Sequence, residues 1–108
     1  MKLIVAIIHD EDAHDLISAL SETKIGVTKL ASTGGFLRAG NTTVLVGVEI
    51  DQVDVVLEKI KENCKVRKEI TTSTAMMAET SGFMTMPIEV TVGGATVFIL
   101  DVSQYFKF

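Results

Sequence analysis

Residues 31–43 read ASTGGFLRAGNTT and hold the densest set of groups suited to ligand chemistry in this 108-residue chain. Gly34, Gly35 and Gly40 permit positive φ and let another molecule approach the backbone. Thr33, Asn41, Thr42 and Thr43 add side-chain donors and acceptors, and Phe36 adds a flat apolar face. Together these parts suit a small polar ring system bearing phosphates, which successive backbone N–H groups can receive. A glycine-rich stretch alone is a weak motif, and the plain alternative is a solvated loop between two strands.

Charge separates the two readings. Residues 23–48 contain no Asp or Glu but include Lys24, Lys29 and Arg38, a net charge of +3. The whole chain carries 10 basic and 14 acidic residues, net −4, so the remainder stands at −7. An acidic chain of pI about 5.0 is a poor binder of nucleic-acid polymer, whose affinity grows with the number of phosphates neutralised. The segregated positive charge fits a small anion held locally. The same window has no carboxylate, histidine or cysteine, so it offers no acid, base or thiol nucleophile, and an enzyme is not expected.

Length and composition predict one domain over residues 1–108. A chain this size hides only about two-thirds of the surface it exposes unfolded. With 47% hydrophobic residues, 22% charged and a mean hydropathy of +0.38, self-association is the expectation. The early apolar run, residues 3–8, is too short to cross a membrane and leads into His9-Asp10-Glu11-Asp12, unlike a signal-cleavage region. A cytoplasmic location without membrane association is therefore expected. The lone Cys64 cannot form an internal disulfide.

The elements that must position the loop follow from periodicity. Residues 3–8 have strand length, and Ala13, Leu16, Ile17 and Leu20 recur at helical spacing. Residues 27–31 and 42–48 are rich in β-branched side chains and predict an antiparallel pair flanking the glycine loop. A second helix is marked by Asp51 as N-cap, Asp54 near its positive end, and a stripe of Val53, Val56, Leu57, Ile60 and Cys64. Residues 66–70 extend briefly. Residues 88–92 and 95–100 predict two strands joined through Gly93-Gly94 as a tight turn. The order predicts an α+β, ferredoxin-like βαββαβ arrangement with a hairpin elaboration: an antiparallel sheet, two helices on one face, and the other face left for neighbouring subunits.

Other clusters have simpler explanations. His9, Asp10, Glu11, Asp12, His14 and Asp15 resemble a metal set, but acidic residues also favour a helix's first turn; Asp10 or Asp12 is expected to cap it, His14 to be exposed, and no metal is expected. Cys64 belongs to an apolar stripe and reads as a buried thiol. Met76, Met77, Met84 and Met86, with Phe83, populate the low-charge stretch 71–86, which reads as a long adaptable loop.

The run KLASTGGFLRAGNTT, the segment VTVGGATVF and a helix ending in KENC resemble the PstA family, PII-like receptors for cyclic-di-AMP. The resemblance extends over nearly the whole chain. It implies a homotrimer of ferredoxin-like subunits packed through their sheets, with cyclic-di-AMP in clefts between subunits beneath two long loops, here residues 32–41 and 71–86. Thr28, Gly35, Phe36, Leu37, Asn41 and Gly47 match positions that surround the dinucleotide in that family. Gly35 and Phe36 would present N–H groups to phosphate, Thr28 and Asn41 would hydrogen-bond phosphate, ribose or base edge, and Phe36 and Leu37 would sandwich an adenine. Gly26 stands where tight-binding members tend to carry arginine, and Lys107 where a tail glutamine is usual; Lys24, Lys29 and Lys107 are the candidate substitutes for the missing charge. The implied function is signal transduction without a cofactor: the bound messenger alters loop conformation and thereby an unidentified downstream protein. The alternatives are a sensor of another adenine nucleotide and an interaction module that binds no nucleotide.

Overall fold

The computed structural model describes residues 1–30, 40–73 and 86–108. Its elements are β1 (Lys2–His9), α1 (Asp10–Glu22), β2 (Thr28–Leu30), β3 (Asn41–Val48), α2 (Val53–Cys64), β4 (Arg67–Ser73), β5 (Met86–Val92) and β6 (Ala95–Asp101). One four-stranded antiparallel sheet runs in the order β2-β3-β1-β6, and β4 pairs with β5 in a separate two-stranded sheet. With the β4-β5 hairpin set aside, the remaining strands and both helices make two interleaved βαβ units, consistent with a ferredoxin-like fold.

The core forms where strand alternation meets helical spacing. Ile4, Ala6 and Ile8 of β1 and Val44, Val46 and Val48 of β3 are buried beneath Ala13, Leu16 and Leu20 of α1 and Val56, Ile60 and Cys64 of α2. Ile25 closes the cluster at the approach to β2. Burial pushes the Cys64 thiol up to about 11, with the negative charge of Asp12 acting in the same direction and Arg67 opposing both. The buried-thiol expectation therefore holds.

β1 is apolar on both faces. Leu3, Val5 and Ile7 point away from the helices, and the register sets Leu3 beside Leu100 and Val5 beside Phe98. Phe98 and Leu100 are 48% and 46% exposed, so the helix-free face of the sheet presents an apolar surface to the outside. No helix among the described residues is long and apolar enough to cross a membrane.

Four local expectations are corrected. Asp51 lies in a short 3₁₀ turn, Ile50–Gln52, so the residue preceding α2 is Gln52, with no side-chain cap. At α1 the N-cap is His9, again without a side-chain cap; Asp10 instead accepts a hydrogen bond from the Thr42 hydroxyl, and Asp12 turns inward to Arg67. β5 and β6 do not pair with each other: Gly93 and Gly94 both have positive φ, but their turn carries the chain from the two-stranded sheet into the main one. Finally, Thr71 through Ser73 continue β4 and Met86 begins β5, so the long connection after α2 narrows to residues 74–85, outside the described residues.

Candidate functional site

β2 lies antiparallel against β3 and leads into the glycine-rich segment. Its register pairs Thr28 with Leu45, Lys29 with Val44 and Leu30 with Thr43. Val44 is core, so Lys29 lies on the helix side and Thr28 on the open side. The same alternation puts Gly47 of β3 and Leu3 of β1, which are paired, on the open side with Thr28. Continuing the β2–β3 register by two residues sets Gly26 opposite Gly47.

A cleft of about 680 Å³ opens on that side of the sheet, within the usual range of roughly 300–1,000 Å³ for small-molecule sites. Gly26, Thr28, Leu45 and Gly47 form its floor, and the chain after β6 returns over it, contributing Tyr105 and Lys107. A Cβ built at Gly26 or Gly47 would meet nothing within 4 Å. The two glycines therefore make bare backbone that a ligand can approach, rather than glycines forced by crowding. Phe106 and Phe108, on either side of Lys107, do not line the cleft; their rings stack on each other with centroids 6.1 Å apart.

The expected site residues separate into three groups. Thr28 and Gly47 share the cleft. Gly35, Phe36 and Leu37 lie outside the described residues. Asn41 begins β3 opposite His9, six residues from Gly47, a span of about 20 Å along a strand at ~3.4 Å per residue. It lines a second recess of about 350 Å³ with Ile7, His9 and Thr96. Within one chain Asn41 and Gly47 are thus at opposite ends of the sheet.

The base of the β4-β5 hairpin borders that second recess. Arg67 reaches from β4 to Asp12 of α1, with Nη2 2.9 Å from Oδ1, while its Nε donates to Glu69 at 3.2 Å. Asp12 is only 4% exposed. Its carboxylate first, and Glu69 second, hold the guanidinium firmly charged. Gly93 N–H donates to His9 Nδ1 at 3.4 Å and Gly94 N–H to the Cys64 carbonyl. Gly93 has φ +82° and sits directly against the Lys65 carbonyl, where a Cβ would collide. Sequence reasoning did not find Tyr105 in the cleft or Arg67 on Asp12. The tail has no periodicity to read, and the two ion-pair partners are 55 positions apart.

Among the described residues no group of three or more His, Cys, Asp or Glu side chains is arranged to hold a metal ion. The site is thus a concave, mostly apolar cleft with a bare backbone floor, one hydroxyl on that floor, and a phenol and an ammonium on the tail. Such a cleft has the size and lining of a small-molecule site.

Comparison with known proteins agrees with this chemistry. A crystal structure of a functionally unknown protein from Pediococcus pentosaceus ATCC 25745 is similar, with 41% identity and a TM-score of 0.78 over 99% of this chain and 96% of that one. The family profile described as cyclic-di-AMP receptor matches residues 1–108. A match spanning every element of the sheet, both helices and the tail that covers the cleft makes this chain a member of the cyclic-di-AMP receptor family.

Proposed function

We propose that this protein senses cyclic-di-AMP as a homotrimer, binding one dinucleotide per chain in clefts between subunits. The observation that carries the reading is the cleft over Gly26, Thr28 and Gly47, which lies on the same helix-free face as the exposed apolar residues Phe98 and Leu100. A surface that seeks cover and a cleft open along it are the conditions for a ligand shared between copies.

The separation of Thr28 and Gly47 from Asn41 supports the same reading. A single ligand bordered by all three would take Thr28 and Gly47 from one copy and Asn41 from another. Gly35, Phe36 and Leu37, joined to Asn41 through the same connection, would then close over the ligand from the second copy. Phosphates would meet the backbone N–H groups of Gly35 and Phe36, and an adenine would lie between Phe36 and Leu37. The bound messenger alters the conformation of the two long connections, between β2 and β3 and between β4 and β5, and that change is what a downstream protein reads. The ligand shifts that equilibrium only by its difference in affinity for the two loop states.

Titration calorimetry with cyclic-di-AMP, and with ATP, AMP and cyclic-di-GMP as controls, tests this function. Saturation near one ligand per chain, selective for cyclic-di-AMP, is expected. Selective uptake of ATP instead would make the protein a sensor of another adenine nucleotide, and no heat with any of them would leave the fold without its messenger.

A further inference from the structure

A groove of about 280 Å³ lies on the helix side of the sheet, where α2 passes the outer strand β6. Its walls are Leu57 and Ile60 of α2, Val66 at the entry to β4, and Ala95 and Val97 of β6. The register fixes the side, because Ala95 pairs with Ile8 and Val97 with Ala6, both core residues beneath the helices. Lys61 and Lys65 stand on the rim, and among the described residues no carboxylate lines the groove. The ion pairs among the described residues use the N-terminus, Lys2, His9, Arg67 and Lys68, and leave both rim lysines without a partner. In a chain of net charge −4, unpaired positive charge is thus set beside apolar surface.

β6 adds a second feature. It ends the sheet order and pairs with β1 alone among the described residues, so the N–H and C=O groups along its outer edge are not taken up by a strand. From Ala95 to Leu100 that edge has neither a charged residue nor a proline, the usual guards against pairing. Ile99, in line with Val97, is 46% exposed and lengthens the apolar wall. The parts suit an extended chain: the strand edge bonds its backbone, the groove takes its apolar side chains, and the lysines select carboxylates.

We infer that the β6 edge and the α2 groove form a docking site for an extended segment of a partner protein in which apolar residues are flanked by Asp or Glu. The groove is smaller than the roughly 300–1,000 Å³ of small-molecule sites, which favours side chains of a peptide as its filling. It lies behind the sheet from the cleft over Gly26 and Gly47, so the inference stands whichever ligand that cleft takes. Exposed ion pairs add little affinity each, but like charges brought together are costly, so the rim sets partner choice more than strength.

The test adds two synthetic heptapeptides to the ¹⁵N-labelled full chain and follows amide shifts by NMR. Both have a Leu-Val-Leu centre; one is flanked by glutamates and the other by lysines. The acidic peptide is expected to bind about tenfold or more tightly than the basic one, with shifts gathered on Leu57, Val66 and residues 95–99. The double variant Lys61→Glu, Lys65→Glu, at exposed positions that leave melting unchanged, is expected to reverse the preference. Equal affinity for the two peptides, no binding of either, or shifts gathered elsewhere would overturn the inference. Shifts of the same amides that grow with protein concentration in the absence of peptide would give the groove to a second copy of the chain and overturn it as well.

Discussion

Phe36 is the single aromatic residue in the acid-free window 23–48, and the proposed stacking role rests on it. Stacking of a base on an aromatic side chain is worth about 1–3 kcal/mol in single-strand binders. Phe36→Ala is therefore expected to raise the dissociation constant for cyclic-di-AMP by about tenfold or more, as read by calorimetry; an unchanged constant would remove Phe36 from the site. At this scale the sequence was legible in part. Thr28 and Gly47 come together because the alternation of two short β segments fixes which side chains share a face. Asn41 was given by the family resemblance, and β3 places it about 20 Å from Gly47 at ~3.4 Å per residue. Tyr105 was not legible, because nothing periodic marks the return of the tail over the sheet.

The β4-β5 hairpin is the element least anchored by hydrophobic packing. It pairs with itself, and Val66 and Ile70 at its base and along β4 are exposed. Its root is held instead by the Arg67–Asp12 ion pair and by the backbone bonds of Gly93 and Gly94. Arg67→Met leaves the nearly buried Asp12 without its partner, and an unsatisfied buried acceptor costs about 1–3 kcal/mol. A fall in melting temperature of roughly 4–8 °C per kcal/mol is expected, with recovery in the Arg67→Met, Asp12→Leu double variant. A single variant that melts with wild type would show that the clasp adds nothing to stability. Both helices and all the main-sheet strands were legible from spacing, since burial on one face imposes a period. The pairing partner of β5 was not: Gly93-Gly94 fits a tight hairpin turn, and only the competition of β1 for β6 and β4 for β5 decides otherwise.

For the whole molecule, the unfinished feature is the open sheet face. Phe98 and Leu100 are nearly half exposed beside the half-buried Leu3 and Val5, an apolar face that the proposed assembly would cover. The sequence signalled this through high hydropathy and a central strand apolar on both sides, and the arrangement of copies came only as what the family resemblance implies. Under the proposed reading, Asn41 and the Gly26–Gly47 floor, at opposite ends of one sheet, would border a single ligand from two copies. Native mass spectrometry of the protein with and without cyclic-di-AMP examines assembly and binding at once. The expected result is a species of three times the 11.7 kDa chain mass that takes up to three dinucleotides. A monomer that binds cyclic-di-AMP, or a trimer that takes none, would contradict a messenger held between subunits.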